Sequence, residues 1–417
     1  MSGQLAAKHD LVTVGGGLAG SALASVMASA GARMLVLEQE ARFRDRVRGE
    51  ALVPWGVAEA RMLGLEAPLV ERGAHIVPGW TVYAGGAGQR RDLPTTTPAH
   101  GGLLNYYHPT MQETFIGLAE TAGAEVRRGV IVTGVTPGAS PSVTVQRNDR
   151  TERIWARLVV GADGRDSRVR TWAGFKTSRD APNILIAGLL FEGMAIVEDS
   201  AHVFIAPTWG EIALLVPLGH SRVRVYLMSV RRAERGRLSG PTRIGDFIQA
   251  CIECGAPADW FFTNGARPCG PLASFEAASS WVDHPYRQGV ALAGDAASAT
   301  DPTWGQGQSL TLRDVRILSD LLRAHESDWE TACQRYATEH DRYFDALHTI
   351  EGWQARINFT LGTEGDRIRA HALPALRQGF GPDLLGRGPD APADEPARHR
   401  LFGAEPTLGG GASAPGE

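Results

Sequence analysis

Three glycine-rich stretches hold the residues whose types and spacing could do chemistry. Gly289–Val315 reads GVALAGDAASATDPTWGQGQSLTLRDV: a buried apolar strand, a Gly-Asp turn at Gly294 and Asp295, and a Pro- and Gly-rich loop, Pro302 to Gly307, that opens a helix. Near the start, LVTV is followed by GGGLAG, Gly15 to Gly20, which fits G-x-G-x-x-G. Between them, Val159 to Arg170 read VVGADGRDSRVR. Backbone of this kind lets a large, flat, anionic cofactor come close. Gly15 permits the tight turn, Gly17 admits a pyrophosphate, and Gly20 lets the next helix pack on the strand. Leu18 and Ala19 begin that helix, whose free N–H groups and partial positive charge suit phosphate. Glu38 ends the following strand, RMLVL, about 20 residues past the glycines, where a carboxylate binds a ribose hydroxyl. Three such elements in this order point to a flavin enzyme.

The elements that must position these residues follow from hydrophobic pattern and turn signals. Leu11–Val14, a helix to Ala30 closed by Gly31, and Arg33–Leu37 make a βαβ unit. Val57–Leu63 is expected to be helical, and Pro109 opens a second helix that ends near Gly123. Residues 183–230 carry four strand-like runs, ILIAGLLF, HVFIA, EIALLVPL and RVRVYLMSV, with no long helix between them. That pattern predicts an antiparallel sheet as a second layer. A helix near Arg243–Cys254 follows, and residues 308–361 read as mostly helical. The fold class expected is α/β: a Rossmann-type FAD-binding domain with an inserted mixed or antiparallel substrate sheet and C-terminal helices. The discontinuous FAD-binding domain takes 1–75, 100–180 and 271–330, and the substrate sheet takes 76–99 and 181–270. A helical region takes 331–378, and 379–417, Gly-, Pro- and Ala-rich, is expected to be a largely disordered tail.

With the motifs placed, the chain resembles the single-component FAD-dependent aromatic monooxygenases of the p-hydroxybenzoate hydroxylase type, over about residues 10–345. GADGRDSRVR matches the family's D-G motif at Asp163, Gly164, Ser167 and Arg170, and GDAASATDPTWGQG matches its G-D motif. The resemblance implies that Asp163 and Gly164 serve FAD and the pyridine nucleotide, and that Asp295, after Gly294, contacts the ribityl region. It implies that Pro302, Gly305, Gln306 and Gly307 lie beside the isoalloxazine ring, that Gln112 sits near the flavin, and that Arg48 is the retained arginine of the family's arginine loop. It implies a reaction in which NADPH or NADH reduces FAD and a flavin hydroperoxide passes one oxygen atom of O2 to an electron-rich small molecule. The chain departs from the family pattern at Ser298, at Ser309 and at Arg46–Glu50, where RVRGE adds an acid at Glu50. That last change puts the docking of NAD(P)H in question.

Because the chemistry belongs to the cofactor, no residue is required as a nucleophile, and no G-x-S-x-G occurs. His108 and Trp304 are the candidates for a direct role. Trp80, Tyr83, Tyr106, Tyr107, His202, Phe204, Trp209 and Tyr226 are candidates for the substrate pocket, although strand aromatics often serve only the core.

Bulk properties exclude other classes. A net charge of −4 offers no basic field for nucleic acid. The apolar stretch Leu11–Leu37 is broken by five glycines and Arg33, so it is neither a signal peptide nor a membrane span. Cys251-x-x-Cys254 lacks two further ligands at zinc spacing, so reduced, buried thiols and no metal are expected. These readings suit a cytoplasmic monomer or homodimer. Two related chemistries stay open: a flavin-dependent halogenase, which needs a catalytic Lys and a W-x-W-x-I-P segment absent here, and a reductase of the geranylgeranyl reductase type.

Overall fold

The computed structural model describes residues 9–47, 49–147, 150–231, 236–262 and 265–403. Strand β1 (His9–Val14), helix α1 (Leu18–Ser29) and strand β2 (Met34–Glu38) form the expected βαβ unit. Helix α2 (Pro54–Met62) starts on a proline and is followed by the hairpin β3 (Gly79–Ala84) and β4 (Ala87–Asp92). Helix α3 (His108–Thr121) leads to β5 (Glu125–Arg128) and the long β6 (Arg150–Gly161). Four strands then run in succession: β7 (Ile184–Glu192), β8 (Ser200–Ile205), β9 (Glu211–Gly219) and β10 (Arg222–Val230), before helix α4 (Ile244–Glu253). Strand β11 (Val290–Leu292) returns the chain to the first layer. The end is helical: α5 (Gly307–Ala324), α6 (Trp329–Phe359), α7 (Gly362–Arg377) and α8 (Glu395–Phe402).

The first sheet places its parallel strands in the order β11-β6-β1-β2-β5. Its central strands are apolar without alternation because both faces are covered: Leu11, Val36 and Val160 pack under α1, α3 and α5, Val12, Leu35 and Val159 pack against Val135, Val143 and Val145 of the chain between β5 and β6, and all six are inaccessible. The second sheet runs β7-β10-β9-β8-β3-β4. It is antiparallel apart from the parallel pair β8–β3. One face packs on α4, with Leu189, Phe191, Phe204, Leu215, Val223, Val225 and Leu227 against Phe247 and Cys251. The other face carries Ile186, Val203, Ile212, Tyr226 and Met228, joined by Trp80, Trp304 and Phe359. Cys251 and Cys254 belong to the first of these cores, and no cluster suited to a metal ion occurs among the described residues.

The expected disordered tail is corrected over residues 379–403. Leu401 and Phe402 of α8 are buried against Trp353, Ile357 and Ile368, and Leu384 and Leu385 pack near Trp55. Arg91 grips Asp383 through two hydrogen bonds of 2.8 Å, and Arg313 grips Asp390 at 2.9 and 2.8 Å. The apolar residues are sparse in this stretch, but each meets a partner far away in sequence, which composition does not register. Residues 404–417 lie outside the described residues.

Candidate FAD site

The three glycine motifs leave the carboxyl ends of three neighbouring parallel strands. Val14 of β1 pairs with Gly161 of β6, and Gly161 pairs with Leu292 of β11, so the loops at Gly15, Ala162 and Gly294 emerge side by side. Crevices at this edge of a parallel sheet are where ligands bind.

Within the first loop the glycines divide by what a side chain would meet. A Cβ on Gly15 would come within 2.3 Å of the Ala162 carbonyl, and one on Gly20 within 1.9 Å of the Gly15 carbonyl. Those two glycines pack backbone on backbone. A Cβ on Gly17 would have only the Gln112 amide nearby, at 3.9 Å. Gly17 therefore opens space that none of the described residues fills, with Gln112 of α3 at its border. Leu18 and Ala19 start α1, which has neither a capping side chain nor an acid in its first turn. This cradle fits a diphosphate. Glu38 is 95% buried, and its carboxylate accepts the Gly16 N–H at 2.6 Å and the Glu40 N–H at 2.7 Å. It thus fixes the glycine loop.

In the D-G motif, one oxygen of Asp163 accepts the Arg168 and Val169 N–H groups at 2.7 and 3.1 Å, and Ser167 caps Arg170. The other Asp163 oxygen is buried without a partner among the described residues, an acceptor position that a ligand hydroxyl would satisfy. Gly164 takes a positive φ of 81° at the turn. Arg165 reaches across to donate to the Ala278 and Thr300 carbonyls, so this motif props the loop that follows β11.

In the G-D motif, Gly294 has φ 62° and donates its N–H to Asp314 at 2.7 Å. Asp314 is inaccessible, and its other oxygen takes the Tyr343 hydroxyl and lies 3.0 Å from His340 Nδ1. This anchor was not among the residues read from the sequence. Its only signal was an acid on an otherwise apolar helix face. Asp295 is half-buried, and its carboxylate takes no hydrogen bond among the described residues, which fits a ribityl contact. Beyond it, Asp301 caps Thr303 at 2.9 Å, and burial raises its carboxyl above the usual range. Pro302 opens a single turn that Gly305 closes in the left-handed region. Gly307 begins α5, which again has no capping side chain and no acid in its first turn. Gln306 is wholly buried; it accepts from Trp55 Nε1 at 2.9 Å and donates to the Trp304 carbonyl at 2.7 Å, so its side chain braces the loop. Trp304 packs edge-on to Phe359, ring centroids 6.1 Å apart, and its indole N–H is buried without a partner among the described residues. Arg48 lies outside the described residues.

The expected pocket residues separate. Trp80 and Tyr226 share the sheet face that meets Trp304. Tyr83, His202 and Phe204 are on the opposite face, a correction to their grouping with Trp304. Tyr83 stacks on Phe204 at 4.3 Å, and His202 meets Trp260 edge-on at 5.1 Å. The reason is strand alternation: on β3 and β8, residues one apart point to opposite sides. Burial lowers the pKa of His202, as suits a core histidine. Trp209 lies under the Arg369 guanidinium, 4.6 Å away, at the α7 end of the molecule. Tyr106 is buried with its hydroxyl on Gln308 at 2.8 Å, and Tyr107 lies under Arg222. His108 Nδ1 is 2.9 Å from the Gly49 carbonyl, which the Gln308 amide also meets at 2.9 Å. His108 thus joins the segment before α2 to the first turn of α5.

Comparison with known proteins agrees with this geometry. Residues 8–344 match the family model described as FAD binding domain. Rifampicin monooxygenase of Streptomyces venezuelae is 30% identical over 357 residues, covering 84% of this chain and 71% of that protein. Digeranylgeranylglycerophospholipid reductase 2 of Methanopyrus kandleri is 26% identical over 352 residues, 81% of this chain and 82% of that protein. Among solved structures, pqsL of Pseudomonas aeruginosa, a probable FAD-dependent monooxygenase, superposes with a TM-score of 0.68 at 20% identity, covering 84% of this chain and 96% of that one. The flavin-dependent brominase Bmp2 superposes with a TM-score of 0.74 at 15% identity, covering 91% and 93%. These likenesses show the fold, no helix among the described residues is long and apolar enough to cross a membrane, and the family match together with the rifampicin monooxygenase relative makes the chain a member of the single-component FAD-dependent monooxygenases that its sequence resembles.

Proposed function

We propose that this chain uses NADPH or NADH and O2 to hydroxylate an aromatic or similarly electron-rich small molecule. The observation that carries the reading is the convergence of Gly17, Asp163 and Asp295 at one edge of the parallel sheet, beside a loop whose Trp304 faces the apolar side of the second sheet. Bound FAD supplies the hydride acceptor and the oxygen chemistry. The protein binds, orients and shields. Gly17 and the first turn of α1 receive the diphosphate. Glu38, Asp163 and Asp295 accept hydrogen bonds from ribose and ribityl hydroxyls. Trp304, Trp80, Phe359 and the aliphatic sheet residues keep water from the reacting face. No side chain has to attack the substrate. The rifampicin monooxygenase relative supports oxygen insertion, and the apolar lining supports a flat, weakly polar substrate.

The test is isotopic. Turnover under labelled dioxygen should place one labelled atom in the product for each NAD(P)H consumed. Label arriving from water, or turnover without oxygen, rejects the hydroxylase reading. A second reading, reduction of a prenyl chain, has the Methanopyrus relative in its favour and predicts oxygen-independent turnover. Halogenation has the brominase fold in its favour, but the sequence contains only Lys8 and Lys176, and Lys176 is exposed.

A further inference from the structure

Where β9 turns into β10, the second sheet meets the start of α3 around a cavity of about 240 Å³. Its wall includes Arg72, Tyr107, Thr110, Thr114, His220 and Arg222. No acid lines it among the described residues, in a chain whose net charge is −4. Elsewhere Arg33, Arg90 and Arg128 each grip a carboxylate with two N–H groups. The Arg72 and Arg222 side chains make no hydrogen bond among the described residues. Glu192 of β7 comes no closer than 3.8 Å to Arg222 Nε and is held instead by Arg267 at 2.8 Å. Arg222 Nε is buried and unpartnered among the described residues, and an orphaned donor of that kind calls for an acceptor.

The fold holds these donors in place without neutralising them. The two residues between β9 and β10, His220 and Ser221, have φ of 55° and 56°. A two-residue hairpin turn that matches the twist of its strands needs positive φ at both positions, which glycine or asparagine usually supplies. Two residues that resist this conformation stand here instead, and strain of this sort gathers at ligand sites. The turn delivers Arg222, whose guanidinium lies 4.6 Å from the centre of the Tyr107 ring. An aromatic face rather than an acid therefore orients its fork of donors. Helix α3 begins at His108 with neither a capping side chain nor an acid in its first turn. Its free N–H groups add positive potential beside Tyr107 and Thr110.

Forked guanidinium donors, hydroxyls and an uncompensated helix start suit a phosphate oxyanion. The cavity is smaller than the roughly 300–1,000 Å³ that takes a whole drug-sized ligand, so it suits one end of a larger molecule. Tyr106 also lines it, and the Tyr106 hydroxyl donates to Gln308 at 2.8 Å, one residue past the Pro302–Gly307 loop. Gln112, two residues on from Thr110, borders the space at Gly17. The cavity thus adjoins the candidate FAD site. We propose that it is a phosphate site, filled by the 2′-phosphate of NADPH, and that it makes NADPH the preferred donor over NADH. The source of the phosphate rests on the pyridine-nucleotide reading above; the affinity of the cavity for phosphate does not.

The experiment titrates the FAD-loaded protein with adenosine 2′,5′-bisphosphate, adenosine 5′-monophosphate and inorganic phosphate by calorimetry. Wild type, Arg222→Gln and Arg72→Gln are compared, and kcat/KM for NADPH and NADH is measured beside them. In wild type the bisphosphate should bind at least about tenfold more tightly than the monophosphate, as charge-assisted hydrogen bonds to one added phosphate imply. Each substitution should shrink that advantage, Arg222→Gln more than Arg72→Gln, and the NADPH-to-NADH ratio of kcat/KM should fall in step. Equal affinity for the two adenosine phosphates overturns the proposal, as does an advantage that both variants keep in full. Inorganic phosphate that binds and is lost in the variants, without any advantage for the bisphosphate, identifies a different phosphate-bearing molecule as the occupant and overturns the assignment to NADPH. If Arg222→Gln does not fold, Arg72→Gln decides, because Arg72 is exposed. If the protein oxidises neither nucleotide, the calorimetric comparison still decides the phosphate site while the hydroxylase reading falls.

Discussion

In the parallel sheet, β1, the Leu158–Gly161 end of β6 and β11 are buried on both faces, and each delivers a glycine to the same edge. In the antiparallel sheet, strands β3, β8 and β10 send alternate side chains to two different cores, one under α4 and one toward Trp304. The first region makes its site from backbone, so residue type and spacing nearly specify it. The second makes its site from side chains on one face, so a shift of one residue exchanges pocket for core. Glycine substitutions should therefore separate ligand binding from folding in the first region. Aromatic truncations should separate pocket from core in the second.

The largest effects should come from the glycine loop. Gly20→Val places side-chain atoms where the Gly15 carbonyl already lies, 1.9 Å from the added Cβ, and should leave no folded protein. An added Cβ at Gly17 meets no atom of the described residues closer than the Gln112 amide at 3.9 Å. Gly17→Val should fold with a near-wild-type melting curve yet bind FAD at least about 100-fold more weakly, since its side chain occupies the pyrophosphate's space. Circular dichroism melts and FAD titration check the pair, and full FAD affinity in Gly17→Val would break the contrast.

Truncation from Pro382 should be nearly as severe. It removes Leu401 and Phe402, each worth about 2–5 kcal/mol when buried, and the carboxylates that Arg91 and Arg313 grip. The sum approaches the whole stability of an ordinary domain, about 5–15 kcal/mol. A urea melt unchanged by this truncation would show that the contacts of residues 382–403 are dispensable.

In the second sheet, Phe204→Ala should cost about 3–5 kcal/mol of stability and leave the coupling of NAD(P)H to product unchanged. Trp304→Ala should do the reverse: a smaller stability loss and a several-fold rise in hydrogen peroxide released per NAD(P)H. Peroxide assays beside denaturant melts resolve the two. Equal uncoupling in both variants would erase the distinction between the faces.

The smallest effect is a pH dependence on the α4 side. Burial holds the His202 pKa below its ordinary value. Its stabilisation is present above the unfolded-state pKa and is lost as pH falls through the lower folded-state value. His202→Gln should flatten the acid limb of the stability curve, and an unchanged limb would remove His202 from the account.

The composition and spacing of this chain were enough to place the βαβ unit, the four-strand run and all three glycine motifs. These signals are local: a strand, a turn that needs glycine and a helix start lie within a few residues of each other. Other features were settled only by tertiary structure. Asp314 became the anchor of the Gly294 turn because α5 packs beneath β11. Gln306 became a brace because Trp55, 251 residues away, comes to meet it. Tyr83, His202 and Phe204 left the presumed pocket because the register of β3 on β8 turned them toward α4, and residues 379–403 joined the body through partners scattered along the chain. Turn chemistry depends on neighbours in sequence, whereas the face a side chain occupies and the charge it meets depend on which distant segment closes over it.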